Sequence, residues 1–193
     1  MYGRIRQGKR VILLTDVELL KMIQEEGFAA AFIDPRDIPV TPAFRMFCEE
    51  NLCGKYGANY SCPPDCGTVE QLHERILKEE KAIILSSRWE VDGYDDKEAV
   101  QFARKAHNQA IRRVIEGVKQ GGWEGFAAGY GGCNLCNPCK RVENQPCAFP
   151  DKRISCMSAY CINVAELAQR CGLEFSWDPG KLYLFGMIAY HKP

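Results

Sequence analysis

The sequence carries no excess charge of either sign: 25 Lys and Arg balance 25 Asp and Glu over 193 residues. That balance argues against a nucleic-acid binder that works by neutralising phosphates, and against a polybasic membrane anchor. Long apolar runs are missing too. The longest, FAAAFI (28–33) and LFGMIAY (184–190), are far too short to span a bilayer. The opening MYGRIRQGKRVILL is basic at its start but has no extended apolar core and no small-residue cleavage site, so a cytoplasmic chain is expected. Histidine is scarce, at three residues. His-Glu-x-x-His, Gly-x-Ser-x-Gly and the phosphate-binding Gly-Lys-Ser/Thr loop do not occur. Radical S-adenosylmethionine chemistry is disfavoured as well, because Val69 stands where Cys62-x3-Cys66 would need its third cysteine.

What is abundant is cysteine, 11 residues, and its distribution is uneven. Residues 1–47 and 67–132 contain none, residues 48–66 hold four, and residues 133–171 hold seven. In a reducing compartment, clustered thiols usually hold metal rather than disulfides. Cys133, Cys136 and Cys139 also crowd into seven residues, a spacing poorly suited to disulfides.

The length fits one domain covering 1–193, with apolar residues at 46%, enough for an ordinary core. Between the cysteine groups the pattern is that of an α/β (or α+β) protein. Thr15 with Glu18 forms a capping box ahead of a helix whose Val17, Leu20 and Ile23 share a face. FAAAFI (28–33) reads as a short buried strand, and Pro42 starts a short helix that delivers Cys48 to its end. Residues 53–67 should be loop, and Thr68 with Gln71 caps a helix with Val69, Leu72 and Ile76 inward. Strands are expected at 81–87, 123–130 and 181–190, with a long helix at about 97–119 and another ending at Gly172. Such alternation predicts a mixed β-sheet covered by helices, with two cysteine-rich loops. His107 reads as a core histidine, while His73 and His191 should be solvated.

Cys133-x2-Cys136-x2-Cys139, followed by Cys147, is the strongest chemical signal. Three thiolates two residues apart can wrap one iron–sulfur cluster, the fourth arriving from farther along the chain. Tetrahedral zinc more often uses two Cys-x2-Cys knuckles well apart, and the middle cysteine fits that scheme poorly. The preceding Gly-Tyr-Gly-Gly (129–132) allows backbone N–H groups to approach an anionic cofactor, and Lys140, Arg141 and Arg153 could add favourable charge. The first group, Cys48, Cys53, Cys62 and Cys66, lies in a loop that mixes glycines with Pro63 and Pro64. Tyr56 and Tyr60 could shield a cluster there. Glu49, Glu50 and Asp65 lie nearby in sequence, the first two explained by helix-surface solvation.

These residues resemble a known family, the domain-of-unknown-function 2284 family of predicted metal-binding proteins. The likeness is carried by Cys53, Tyr56, Gly57, Cys62, Pro63 and Pro64, then Gly131, Cys133, Leu135, Cys136, Cys139, Pro146, Cys147 and Pro150, with Cys48 at the family's upstream cysteine. Ala148 stands where a basic residue is expected, and Tyr60 where Trp is common. The resemblance covers most of the chain and implies metal binding, without a settled reaction. Cys66, Cys156, Cys161 and Cys171 fall outside its core pattern. Cys171 reads as a small buried hydrophobe, and Cys156 and Cys161 as bystanders able to substitute as ligands.

The sequence therefore predicts one or two [4Fe-4S] clusters held by Cys133, Cys136, Cys139 and Cys147 and by Cys48, Cys53, Cys62 and Cys66. The role expected is redox or electron transfer in an anaerobe's cytoplasm, with a redox partner protein. Two alternatives stand beside it: an enzyme acting on a small-molecule substrate through an open iron of a three-cysteine cluster, and a zinc-stabilised binding module.

Overall fold

The computed structural model describes residues 14–193, so the reading of the basic N-terminal stretch lies almost wholly outside the described residues. Helix α1 (Asp16–Glu25) begins at the Thr15–Glu18 capping box, in which each side chain bonds the other residue's backbone N–H. Its buried residues are Leu19 and Ile23; Val17 is exposed, which corrects the expected face by a fraction of a turn. Strand β1 (Ala29–Ile33) follows, then α2 (Arg45–Glu49), whose entry is the 3-10 turn Pro42–Phe44. Helix α3 (Val69–Leu77) starts at the second capping box and buries Leu72 and Ile76. Then come β2 (Lys81–Glu90), the long α4 (Lys97–Gln120), β3 (Glu124–Gly129), β4 (Ser155–Cys156), α5 (Val164–Cys171) and β5 (Lys181–His191).

The strands form one mixed sheet in the order β1-β2-β5-β3-β4. All neighbours run antiparallel except β3 and β4. Its two middle strands, β2 and β5, are apolar on both faces. Ile84 and Met187 face a core with α3, α5, Met157 and Tyr160, whereas Ile83 and Ile188 face a second core with α1 and α4. This double burial explains the near-continuous apolar runs AIIL and LYLFGMIAY, since strict alternation is lost when both faces are covered. By contrast β1 is an edge strand and only half-buried, with Phe32 exposed, so its expectation as a buried strand is corrected. The last strand in sequence lies centrally, between β2 and β3.

The parallel pair positions the cysteines. Gly129 pairs with Ser155–Cys156 through the register Gly129↔Cys156, and Ala128 with Ser155. Two parallel strands leave the sheet at the same end, so the Tyr130–Cys139 loop and Cys156 emerge side by side.

His107 is buried as expected, its Nδ1 2.8 Å from the Ser87 hydroxyl, and burial lowers its pKa to about 4. His191 departs from expectation. It is only half-exposed, and its Nδ1 lies 2.6 Å from the buried carboxylate of Glu79. No helix among the described residues is long and apolar enough to cross a membrane.

Candidate metal centre

All eleven cysteines are free thiols. Most of them lie in two adjoining groups near the ends of β3 and β4, while Cys171 packs against the core.

Cys133, Cys136, Cys139 and Cys147 line one recess with Asn59, Tyr60, Ser61, Leu135, Phe149 and Arg153; its empty space, open mouth included, is about 270 Å³. The middle cysteine, Cys136, shares the recess with the others. Desolvation raises its pKa, and the neighbouring Cys139, Cys133 and Cys147 raise it further, since four thiols so placed repel one another when ionised. Several supports hold the loop that presents them. Buried Asn108 on α4 brackets Tyr130, its amide donating to the Tyr130 carbonyl at 2.7 Å and its oxygen accepting the Tyr130 N–H at 2.9 Å. Arg112 points a guanidinium N–H at Cys133 Sγ, 3.9 Å away, and bonds the Asn134 side chain.

The first loop walls the second group's recess. Ser61 Oγ accepts the Cys133 N–H at 2.7 Å, and the Asn59 amide donates to the Cys133 carbonyl at 2.8 Å. Tyr60, expected to shield the first group, donates its hydroxyl to the Gln145 carbonyl and lines the second group's recess. Arg141 pairs with Asp65 across the two loops at 2.8 Å, and Arg153 donates to the Tyr60 carbonyl at 2.9 Å. Lys140 pairs locally with Glu143. Two of the basic residues expected to offset an anionic cofactor, Arg141 and Arg153, therefore bind the loops together. At Gly132 the approach is close: a Cβ there would stand 3.1 Å from Cys62 Sγ.

The other group has thiols of the first loop set against Cys156. Cys48, on α2, has its thiol pKa pushed up to about 11 by burial and then by the charge of Cys156, with Cys161 and Cys53 adding to it. Cys62 and Cys156 act on each other: Cys156 raises the pKa of Cys62, and Cys62 lowers that of Cys156. The Cys156 sulfur accepts the Ala159 N–H at 3.3 Å, at the start of the 3-10 turn Met157–Tyr160. Cys53 is exposed and acts on both Cys48 and Cys62. Cys66 is half-buried and packs against the core beside α3, where burial raises its pKa and Arg45 opposes the rise. Cys161 is fully buried, and Cys171 is half-buried against the core. Cys156, read from sequence as a bystander, is thus the thiol against which Cys48 and Cys62 are set.

Arg45 lies among these thiols. Its Nη2 donates to the Ala159 carbonyl at 3.0 Å, while its buried Nη1 has no hydrogen-bond partner among the described residues. A half-buried guanidinium whose buried Nη1 lacks a partner calls for an acceptor there.

The DUF2284 family, described as a predicted metal-binding protein, matches residues 31–189. The chain belongs to this family. No match was found among curated proteins or among solved structures. As a member of the family the protein is a predicted metal binder, and its cysteines are the donor set at hand. Among the described residues, no three His, Cys, Asp or Glu side chains converge as ligands of a single metal ion.

Sequence reasoning passed over Ser61 and Asn59 and held Cys156 only as a bystander able to substitute as a ligand. Ser61 and Asn59 lie just before Cys62-Pro63-Pro64 but carry no pattern of their own, and Cys156 sits on a two-residue strand too short to leave a periodic signal.

Proposed function

We propose that the protein carries two [4Fe-4S] clusters and transfers electrons through them, one held by Cys133, Cys136, Cys139 and Cys147, the other by Cys48, Cys53, Cys62 and Cys156. The observation that carries the reading is the juncture of the two groups. Gly132 stands against Cys62 Sγ, and Ser61 holds the Cys133 N–H, so neighbouring residues on each loop belong to different groups. Two centres joined this closely suit electron passage from one to the other.

The residues fit an anionic metal–thiolate group. Four thiolates around a four-iron core leave a net charge of about minus two. Orphaned Arg45 Nη1 beside the first group and the Arg112 guanidinium beside Cys133 are placed to meet such a charge. The Ala159 N–H on Cys156 adds a sulfur hydrogen bond of the kind that tunes a cluster's potential. When bound, a cluster supplies one-electron redox chemistry. The protein's own contribution is to fix the thiols, exclude water from the buried Cys62 and Cys156, and hold the two loops in register through Arg141 and Asp65. Four cysteines in the first set favour a closed centre over the open iron that a three-cysteine enzyme would need. Zinc remains the opposing reading.

Purification under argon, followed by iron, sulfide and zinc analysis, tests this. About eight irons and eight sulfides per chain are expected, with an electron paramagnetic resonance signal on reduction. A colourless protein with stoichiometric zinc and no iron would overturn it.

A further inference from the structure

A groove of about 950 Å³ opens beside the second cysteine group, sharing Leu135 and Arg153 with that group's recess. One wall is the outer face of α4, with Lys105, Arg112 and Lys119; the other is the Pro150–Ser155 segment, with Lys152 and Arg153. Its floor includes Gly125, Phe126 and Ala127 of β3. That strand is paired with β5 along its length, but with β4 only at Ala128 and Gly129. Glu124–Ala127 therefore present an unpaired edge among the described residues, a template for one more strand.

The charge of the groove is lopsided. Arg75, Lys105, Arg112, Arg113, Lys119, Lys152 and Arg153 oppose only Glu116 and Asp151, in a chain whose total charge is zero. Arg113 is engaged by Glu26, and Arg75 stacks on Phe126 with its carbon 4.1 Å from the ring centroid. Lys105, Lys119 and Lys152 have no ion-pair partner among the described residues.

We propose that this groove docks an acidic, extended segment of a partner protein, which adds a strand to the free edge of β3 and sets the partner beside the Cys133–Cys147 group. Its value for electron transfer rests on the cluster reading; the binding itself does not. Charge complementarity selects the occupant. The chain's own residues 1–13 carry Arg4, Arg6, Lys9 and Arg10 with no acidic residue, so they match the groove poorly. An extended segment uses both features at once: backbone groups for the edge, carboxylates for the walls.

The test uses the full-length protein and a fluorescein-labelled decapeptide of alternating Glu and Val, a redox-inert probe whose binding is independent of iron content. Anisotropy should show salt-sensitive binding, weakened roughly tenfold or more by Lys105→Glu with Lys119→Glu, two exposed helix positions that leave the cores untouched. Hydrogen exchange should slow on binding at those amides of Gly125–Ala127 that point away from β5. Three results would overturn the proposal. One is equal affinity for the same peptide N-methylated at every residue, which has no N–H left to add a strand. Another is full displacement by tripolyphosphate with no change in Gly125–Ala127 exchange, which would make this a small-anion site. The last is protection, in the free protein, of the amides among them that point away from β5, which would show the edge already covered. Absence of clusters with intact peptide binding would instead sink only the redox reading.

Discussion

The Ser61 hydroxyl holds the backbone N–H of Cys133 at 2.7 Å, so the residue preceding one candidate ligand fixes the position of another 72 residues away. Ser61 is fully buried and also donates to Asn59 Oδ1 at 2.9 Å, while that same Asn59 donates its amide to the Cys133 carbonyl. Two peptide groups at the start of the second loop are thereby satisfied from the first.

Ser61→Ala should therefore cost about 1–3 kcal/mol, the range for leaving a buried donor unmet. Denaturant titration would register a lower midpoint with an unchanged slope. A midpoint equal to the parent's would mean that water replaces the hydroxyl.

Cys156→Ser should remove about half the iron from anaerobically purified protein, because one four-iron group loses a thiolate that keeps it. Cys66→Ala should leave iron and sulfide unchanged. The reverse outcome would restore Cys66 as the fourth donor, as the spacing of the first loop suggests.

Asn108 makes a different prediction, one of stability first. Asn108→Ala strands both the N–H and the carbonyl of Tyr130 and should lower stability by about 2–4 kcal/mol. Asn108→Asp keeps the acceptor for the Tyr130 N–H but sets a buried carboxylate oxygen against the Tyr130 carbonyl, and should cost at least as much as Asn108→Ala. Thermal melts of the three proteins, side by side, would show the order.

The pH dependence has a sign set by His191. Hydrogen bonding to Glu79 raises its folded pKa above the ordinary value near 6.5, with Glu124 and Glu80 adding to the rise. A base whose folded pKa is raised contributes its stability fully below the unfolded value and loses it as the pH climbs through the folded one. With the imidazole one-third exposed, the change should be under about 1 kcal/mol. Melting temperature should decline slightly as the pH climbs from below 6.5 through the raised folded value, and His191→Gln should flatten that decline.

Much of the fold was legible because local chemistry announced it. Both capping boxes, Gly172 after α5 and the apolar run of β2 are short-range signals, and each element is found within a few residues of its reading. Val17 failed because the α1 face is set by contact with α4 and the sheet, which periodicity alone leaves free by a turn's fraction. The second cysteine group was readable from spacing, since its members are close in sequence and share one recess. The first was only partly so. Cys156 meets Cys62 through the parallel pairing of β3 with β4, a contact between residues 94 apart in number, and nothing local encodes it. The basic groove was hidden for the same reason: its cations come from α3, α4 and the segment before β4, and their sum vanishes in the chain's zero net charge.

The pairing of Cys156 with Cys62 also orders biogenesis. A nascent chain released as far as residue 147 has delivered every thiol of the Cys133–Cys147 group, but only Cys48, Cys53 and Cys62 of the other. On the proposed ligand set, the group that begins first in the sequence is the last to have all four thiols synthesised. Its fourth thiol comes with β4, which pairs in parallel with β3.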